Sequence, residues 1–453
     1  MKVHFIAIGG SAMHNMAIAM HKKGFNVSGS DDEIVEPSKS RLQKHGLLPE
    51  AAGWFPEKLD SRPDAVILGM HARADNPELI HAKELGLRIY SYPEYIYEQT
   101  KDKTRIVVGG SHGKTTITAM ILHALHFHGM DCDYLVGAQL EGFDTMVKLT
   151  KEARIAVIEG DEYLSSPVDR RPKFHLYHPN IAIVSGIAWD HINVFPTYAN
   201  YVEQFATFMI LIEKNGSLVY CAADPEVKRL AEAARPDISK IPYSVPPYEL
   251  INGETYLVTK TGRKALQIFG EHNLMNLNGA RLVCNQVGMS DEQFYEAIGS
   301  FKGAAKRLEL VRKEEGFAFY KDFAHSPSKL KATTGAVKSQ FPDRRLIACM
   351  ELHTFSSLTG DFLKEYAGSM ELADEAYVYF NPHTIEHKKL KSISPEEVKA
   401  AFGGSNLKVY TDSSELTAML KGKKWKGNNL LMMSSGNFDG LDFKTLAAGL
   451  NVS

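Results

Sequence analysis

Residues 105–116 are the segment that most constrains the fold of this chain. An apolar run at 105–108 leads into a glycine turn and a Gly-Lys-Thr-Thr sequence at 113–116, after which apolar residues recur at helical spacing. This order is typical of a buried strand that ends in a phosphate-binding loop and continues into a helix. Glycines let backbone N–H groups approach phosphate oxygens, and the helix N-terminus adds a positive potential. The segment therefore predicts an α/β domain that binds ATP.

Side chains at the start of the predicted helix fit this interpretation. Lys114 can reach the β and γ phosphates, and the Thr115 hydroxyl can hold Mg²⁺. The usual loop has a further glycine where this chain has Val108, so the motif here is a shorter one. A chance turn is the alternative, but the strand before the loop and the helix after it argue against one. The expected ATP-binding residues are Gly110, Ser111, His112, Gly113, Lys114, Thr115 and Thr116.

Length and alternating apolar patterns predict three domains. The chain has 453 residues, more than one hydrophobic core usually serves. Strand and helix patterns alternate, so we expect an α/β fold: a Rossmann-like domain at 1–99, a central P-loop domain at 100–307 and a Rossmann-like domain at 308–453. The central domain is expected to have a parallel sheet, with small antiparallel hairpins in the turn-rich section 236–270.

Charge and cysteine content exclude several classes of protein. The chain has 52 basic and 54 acidic residues, which give no electrostatic case for a nucleic-acid or membrane partner. Its four cysteines lie far apart without a C-x-x-C pair, which argues against a disulfide framework and a zinc site. No apolar stretch approaches the roughly 18 residues of a membrane span. We therefore expect a cytoplasmic monomer or weak homodimer with small-molecule ligands.

A second glycine turn follows the first predicted strand. It has the pattern G-x-G-x-x-[GA] with alanine in the first position, and an acidic residue follows the second strand. A pyrophosphate on the helix N-terminus, with Asp31 or a neighbour on a ribose or base, is the functional interpretation. Tight packing of the strand against the helix is the alternative. The expected ligand-binding residues are Gly9, Gly10, Ser11, Ala12, Ser30 and Asp31.

Acidic residues and a histidine follow two further strands. Glu159 ends an apolar strand, and the carboxyl ends of parallel strands face the phosphates in such sheets. A carboxylate there can bind Mg²⁺ directly or through water, although solvated loop acids are the alternative. His191 follows the next strand and is chemically available as a metal ligand. From the residues alone, a structural histidine is the more economical interpretation.

Polar residues further along the chain are candidates for nucleotide contacts. Asn273 and Asn276 carry amides that can read an adenine edge, but helix capping by Asn273 is an equal alternative. Arg307 on a triphosphate and Asp322 on a ribose are chemically reasonable, although spacing alone demonstrates neither.

Taken in order, these motifs resemble the Mur ligase family, the ATP-dependent amide-forming enzymes of peptidoglycan assembly. The resemblance covers essentially the whole chain. It implies an N-terminal domain that binds a UDP-sugar through the first glycine turn, a central ATPase domain and a C-terminal domain that closes with an amine substrate. The motifs that carry it are GSHGKTT at 110–116, EGDE at 159–162, DH at 190–191, GEHNLMN at 270–276, Arg307 and DFAHSP at 322–327.

The resemblance also implies a role for each candidate residue. Lys114, Glu159 and His191 would be catalytic, with Thr115, Glu159 and His191 as the metal ligands. It raises His191 from a structural histidine to a metal ligand. The further ATP contacts that it implies are Asn273, Asn276, Arg307 and Asp322.

One departure narrows the resemblance within the family. Several members have a carbamylated lysine shortly after the Asp-His loop, whereas residues 201–213 contain no lysine. This is similar to the branch that acts on the muramate carboxylate. Segments 161–163, 169–174 and 433–440 resemble the members that join UDP-N-acetylmuramate to the amine of L-Ala-γ-D-Glu-meso-diaminopimelate in peptidoglycan recycling.

Two alternatives remain open at this point. Residues 352–356 lack the arginine of the Pro-Arg-Ser-Asn-Thr segment that is common in the tripeptide-adding members, so the amine could instead be L-alanine. A non-catalytic sensor that binds UDP-sugar and ATP is the alternative of another class.

Overall fold

The computed structural model describes residues 1–70, 72–137, 142–143, 145–189, 194–251, 253–304, 307–404 and 406–452. Contacts divide the chain into two compact units, one of Met1–Ser244 and Leu277–Ala297, the other of Val245–Asn276 and Ile298–Ser453. Largely parallel sheets with helices between their strands, together with a small antiparallel sheet, confirm the predicted α/β fold. The predicted domain boundaries at 99/100 and 307/308 stay a prediction.

The first unit begins with a parallel sheet of order β2-β1-β3-β4. Its strands are β1 (Lys2–Ile6), β2 (Asn26–Ser30), β3 (Ala65–Leu68) and β4 (Ile89–Ser91), and its helices are α1 (Ser11–Lys22), α2 (Ser38–Lys44), α3 (Pro77–Glu84) and α4 (Tyr92–Thr100). The first strand is shorter than the apolar run 2–8 predicts. Ala7 has φ +68°, and the N–H groups of Ala7 and Ile8 both donate to the Ser30 carbonyl, which ends the ladder and begins the glycine turn.

The same unit contains a seven-stranded sheet of order β11-β10-β9-β5-β8-β6-β7. Its strands are β5 (Thr104–Gly109), β6 (Cys132–Leu135), β7 (Val147–Lys148), β8 (Ile155–Glu159), β9 (Ile181–Val184), β10 (Ser217–Cys221) and β11 (Ser239–Tyr243), with helices α5 (Lys114–Phe127), α6 (Tyr198–Ile210) and α7 (Pro225–Ala233). All described pairings are parallel except that of β6 with β7. Strand β5 lies between β8 and β9, so the loops after these three strands meet at one edge.

Strand β11 corrects the expectation of hairpins throughout 236–270. The Ile241-Pro242 pair reads as a turn in sequence, but Ser239–Tyr243 pairs in parallel with β10. A proline is tolerated here because β11 is an edge strand, where one row of N–H groups needs no partner. The hairpin prediction is confirmed only for the residues that follow.

The second unit opens with an antiparallel sheet of β12 (Tyr248–Ile251), β13 (Glu254–Thr259) and β14 (Gly262–Leu266). Thr255 donates its hydroxyl to Gln340 Oε1 at 3.1 Å, and Gln340 Nε2 donates to the Gly253 carbonyl at 2.6 Å, so this sheet packs on the unit's later residues. Helix α8 (Glu271–Gln286) begins in this unit and continues in the first, and α9 (Asp291–Ile298) belongs to the first unit up to Ala297. The division between the units falls inside α8, after Asn276.

The rest of the second unit is a six-stranded sheet of order β15-β16-β20-β17-β18-β19. Its strands are β15 (Glu309–Glu314), β16 (Phe317–Asp322), β17 (Arg345–Leu352), β18 (Glu375–Phe380), β19 (Leu407–Tyr410) and β20 (Asn428–Met433). Its helices are α10 (Pro327–Gln340), α11 (Gly360–Leu363), α12 (Pro382–His387), α13 (Pro395–Phe402), α14 (Ser413–Lys421) and α15 (Phe443–Ala448). Among the described strands of this sheet, only β15 pairs antiparallel. Trp425 is fully buried against Phe317 in the core.

The character of the helices and the state of the cysteines are two further features of the described residues. No described helix has the length and apolar character that crossing a membrane requires. Cys132, Cys221, Cys284 and Cys349 are buried free thiols.

Candidate functional site

The loop between β5 and α5 has the backbone that a phosphate cradle requires. Gly110 has φ +132° and Gly113 has φ +79°, values that favour glycine. A side chain on Gly110 would also collide with Ser185. Ser111 N–H donates to the Gly186 carbonyl at 3.0 Å, and its hydroxyl accepts the Ala188 N–H at 2.8 Å. The loop is therefore fixed to the segment after β9.

Lys114 is held by two acceptors at the base of this loop. Its Nζ donates to the Gly110 carbonyl and to Glu162 Oε2, each at 2.6 Å. The lysine side chain is 16% exposed and that of Glu162 only 1%. Burial lowers the pKa of Lys114, but the carboxylates of Glu162 and Asp161 outweigh it and keep the pKa above its ordinary value. Lys114 is therefore a fixed positive charge beside the loop.

Glu159 lies at the end of β8 next to the first turn of α5. Its Oε1 accepts the Thr115 hydroxyl at 2.8 Å, and its Oε2 accepts the Gly137 N–H at 2.7 Å. Burial raises the pKa of Glu159, and these two hydrogen bonds oppose the effect. A carboxylate and a hydroxyl in contact are the hard oxygen donors that Mg²⁺ prefers, and a cation would favour the charged form of a buried acid. The residues present therefore fit Mg²⁺ at this position.

The third predicted metal ligand, His191, and its neighbour Asp190 lie outside the described residues. Within the described ranges, no group of three or more His, Cys, Asp or Glu side chains is arranged around a common point for a metal. The metal prediction therefore depends on Thr115 and Glu159 from the part of the chain that the structure describes.

The sequence does not predict the contacts that Glu162 makes with Lys114 and Tyr201. Glu162 Oε1 accepts the Tyr201 hydroxyl at 3.0 Å, so both of its oxygens have a partner. Tyr201 lies on α6, 39 residues from Glu162. The acidic cluster at 159–162 was visible in sequence, but no pattern links it to a tyrosine in a later helix.

Asp161 completes the cluster of charges. It pairs with Lys173 Nζ at 2.6 Å. Burial raises the pKa of Asp161, but Lys173 and Lys114 hold the pKa below its ordinary value. Three carboxylates and two lysines therefore converge near the loop.

Of the six residues predicted for the first glycine turn, Gly9 and Asp31 contact each other, and Gly10 and Ser30 bond to other residues at the turn. Gly9 N–H donates to Asp31 Oδ2 at 2.7 Å, and a Cβ on Gly9 would lie 2.9 Å from that oxygen. Ser30 accepts two N–H groups of the turn through its carbonyl, and the Gly10 carbonyl accepts His14 Nδ1 at 2.9 Å. Burial raises the pKa of Asp31, and its bond to Gly9 opposes this. Asp31 therefore stabilises the turn itself, as the packing alternative expects.

Ser11 and Ala12, the other two predicted residues, are exposed at the start of α1. Their backbone lies at a helix N-terminus next to the turn. This arrangement is compatible with an anionic ligand.

Two candidate ATP contacts, Arg307 and Asp322, lie in the second unit. Asp322 ends β16, where it accepts Leu308 N–H at 2.5 Å and Ala324 N–H at 2.7 Å, and the Arg307 guanidinium lies over the Phe323 ring at 5.2 Å. Burial raises the pKa of Asp322, and Arg307 opposes the rise. The structure therefore brings Arg307 and Asp322 to the same end of the β15–β16 pair.

Asn273 and Asn276 are both buried near the start of α8. Asn273 Nδ2 donates to the Phe269 carbonyl at 2.9 Å, one turn back along the chain. Asn273 therefore lies inside the helix and turns its amide to a backbone carbonyl, instead of capping the helix start.

Comparisons with known proteins account for these motifs as a set. Family models match three consecutive parts of the chain: the Mur ligase family catalytic domain at 2–104, the Mur ligase middle domain at 108–284 and the Mur ligase glutamate ligase domain at 306–436. A UDP-N-acetylmuramate–L-alanine ligase from Arthrobacter sp. (strain FB24) is 30% identical over 387 residues, 83% of this chain and 80% of the relative. This chain belongs to the Mur ligase family.

Mur ligases named for L-alanine and Mur ligases named for the tripeptide are both similar to this chain. The UDP-N-acetylmuramate–L-alanyl-gamma-D-glutamyl-meso-2,6-diaminoheptandioate ligase of Escherichia coli (strain K12) is 27% identical over 461 residues, 98% of each chain. A crystal structure of a murein peptide ligase from Psychrobacter arcticus shares the fold, with a TM-score of 0.64 and 24% identity over 100% of this chain and 99% of the other. This Mur ligase is thus an ATP-dependent amide ligase of peptidoglycan synthesis or recycling.

Proposed function

We propose that this Mur ligase joins the muramic carboxylate of UDP-N-acetylmuramate to the amine of L-Ala-γ-D-Glu-meso-diaminopimelate. The observation that carries the proposal is that the phosphate-binding loop is followed by Lys114, which pairs with Glu162, and by Thr115, which contacts the buried Glu159 carboxylate. A cation, a carboxylate and a glycine cradle in this arrangement suit phosphoryl transfer, which needs positioning and charge neutralisation more than covalent help.

The reaction is proposed to run in two steps. A muramic carboxylate oxygen attacks the γ-phosphorus of ATP, forming an acyl phosphate as the bond to ADP breaks. The amine nitrogen then attacks the acyl carbon, loses a proton and displaces inorganic phosphate, which leaves the amide. Mg²⁺, when bound, supplies positive charge to the phosphate oxygens.

The chain's own residues are proposed to act as follows. Lys114 stabilises the negative charge that develops on the transferred phosphate, and the loop N–H groups orient that phosphate. Thr115 and Glu159 hold the metal, with His191 as the third ligand. Asn273, Asn276, Arg307 and Asp322 are proposed to contact the rest of the nucleotide, and the first glycine turn to contact the UDP-sugar.

Local sequence supports the tripeptide as the amine. The segment at 169–174 resembles the tripeptide-adding branch, and in the structure Arg171 pairs with Asp169 while Lys173 pairs with Asp161. L-Alanine is the second candidate because the relative that is 30% identical is named for alanine.

Parallel incubations separate these possibilities. The protein is mixed with UDP-N-acetylmuramate, ATP and Mg²⁺, with either L-alanine or the tripeptide, and phosphate release and product mass are recorded. We expect tripeptide-dependent phosphate release and a product whose mass equals the two substrates less water. Release with L-alanine alone would identify the alanine ligase, and ligand binding without amine-dependent release would identify a sensor. The Lys114→Ala protein is the matched blank.

A further inference from the structure

The phosphate-binding motif does not explain the position of the Glu162 side chain. Its side chain is 1% exposed, with Oε2 2.6 Å from Lys114 Nζ and Oε1 3.0 Å from the Tyr201 hydroxyl. Tyr201 is itself fully buried, with its ring 5.5 Å from that of Phe195 and 5.2 Å from that of Phe205. Glu162 is therefore fixed from two sides, by the loop lysine and by a helix of the same unit.

The pairing restricts where Lys114 can point. A lysine ammonium has three N–H donors. The Gly110 carbonyl accepts one and Glu162 accepts another. Once two donors of a tetrahedral group are fixed, the direction of the third is fixed too. The third N–H of Lys114 therefore has a restricted direction.

Burial makes this orientation persistent. If Lys114 swung away to follow a phosphate, the Glu162 side chain, which is 1% exposed, would lose its paired cation. Leaving a buried carboxylate without its cation is strongly unfavourable. The phosphate must therefore come to the lysine. We propose that Glu162, held by Tyr201, is a positioning residue that fixes the Lys114 ammonium for the transferred phosphate.

This inference rests on the proposed function and makes a distinctive kinetic claim. Glu162 is a negative charge near the anionic nucleotide, so it weakens binding of the ground state while it orients the lysine for the transition state. Its loss should therefore lower kcat without weakening nucleotide binding.

Three substitutions test the claim. Glu162→Gln removes the charge, Glu162→Asp keeps the charge but shortens the reach, and Tyr201→Phe removes the hydroxyl. We expect kcat to fall about tenfold or more in both Glu162 variants and less in Tyr201→Phe, which corresponds to lost transition-state stabilisation. Affinity for a non-hydrolysable ATP analogue, measured by calorimetry, should stay within about threefold or tighten. A Glu162→Asp protein with wild-type kcat, or a parallel loss of kcat and analogue affinity, would overturn the proposal.

Asp133 provides a matched control. It is fully buried in β6 and lies 2.5 Å from Lys103 Nζ, which also donates to the Thr150 carbonyl at 2.8 Å. Asp133→Asn therefore disrupts a similar lysine pair outside the loop. It should lower Tm while kcat per folded molecule stays unchanged. An equal fall in kcat for Asp133→Asn would mean that general destabilisation explains the Glu162 variants.

A second readout needs no nucleotide and no turnover. Thermal unfolding is measured for Lys114→Met, Glu162→Gln and the double variant. Lys114→Met should lower Tm because it strands the buried carboxylate, and Glu162→Gln in that background should recover part of the loss. Additive shifts would contradict the pairing. If the wild-type protein joins no amine, the proposed function fails, while this cycle still decides whether Glu162 holds Lys114.

Discussion

Replacing Glu159 by Gln should separate the chemistry of the site from the stability of the fold. Glu159 accepts the Thr115 hydroxyl and the Gly137 N–H, one on each oxygen. Glutamine can keep the Gly137 N–H on its oxygen and donate its NH₂ to the Thr115 hydroxyl, so two hydrogen bonds to a charged group become neutral ones, at a cost of about 1 kcal/mol each. Against this, the substitution removes a charge whose burial raises the pKa of Glu159. The two effects oppose each other, and we expect the unfolding free energy to change by only about 1 kcal/mol.

Activity should respond very differently. If Glu159 holds Mg²⁺ as proposed, its loss removes a preorganised charge interaction, which is typically worth about 100-fold or more in kcat. The assay is amine-dependent phosphate release at saturating ATP over a range of Mg²⁺ concentrations, together with Tm measured with and without Mg²⁺ and an ATP analogue. The Mg²⁺-dependent rise in Tm should disappear along with the activity.

Glu78→Gln is the matched control for this substitution. Glu78 is a fully buried carboxylate in α3, 3.1 Å from His4 Nε2 and 2.7 Å from the Phe55 N–H. Its loss should reduce stability and leave the Mg²⁺ dependence intact. A Glu159→Gln protein that keeps its kcat within about tenfold of wild type, with normal Mg²⁺ dependence, would refute the metal assignment.

The other predictions concern the loop lysine, the loop glycine, acid stability and the second core. Lys114→Ala should abolish turnover while UDP-sugar affinity measured by calorimetry stays nearly intact; retained ligase activity would contradict the assignment. Gly110→Ala should block analogue binding because φ is +132° there and the added Cβ meets Ser185. Burial raises the pKa of Glu78, but its hydrogen bonds, the largest being that to His4, hold the pKa below the ordinary value. The charged Glu78 therefore stabilises the fold above about pH 4.5, and this contribution is lost as the pH falls through the folded-state pKa. Urea midpoints below that pH should therefore fall less steeply for Glu78→Gln than for wild type. Trp425→Ala should lower the unfolding free energy by about 3–5 kcal/mol, because a fully buried ring is removed, whereas an unchanged urea midpoint would exclude Trp425 from the core.

The sequence predicts those parts of the site that depend on local order along the chain. Residues 105–116 fold into the strand, loop and helix that their pattern indicates, because apolar runs, glycines and helical spacing act over a few residues. The contact between Glu159 and Thr115 is also foreseeable, since neighbouring parallel strands end at the same edge.

Contacts between distant segments could not be predicted in this way. Nothing in the local pattern of Tyr201 distinguishes a tyrosine that fills a core from one that also donates to Glu162. The sequence predicts a turn at 239–243 because proline is common in turns. Nothing in the local pattern shows that these residues form the edge strand of a sheet, where a proline is tolerated. Ala7 was read as strand because its positive φ follows from the Ser30 carbonyl, 23 residues away, and not from its own side chain.

The charges around the loop give a reason for the order of events that the site favours. Glu159, Asp161 and Glu162 lie near the loop with Lys114 and Lys173 as their described counterions. The group is therefore short of positive charge before any ligand arrives, and a triphosphate brings several more negative charges. Burial raises the pKa of Glu159 although the Lys114 charge opposes the rise, so a further cation beside Glu159 would favour its charged form. A divalent cation that arrives with the nucleotide satisfies both needs at once, because it neutralises phosphate oxygens while it gives Glu159 a partner. If Glu159 and Thr115 hold the metal as proposed, we expect nucleotide binding to be conditional on the metal, with Lys114, which is paired with Glu162, orienting the phosphate instead of supplying most of the attraction.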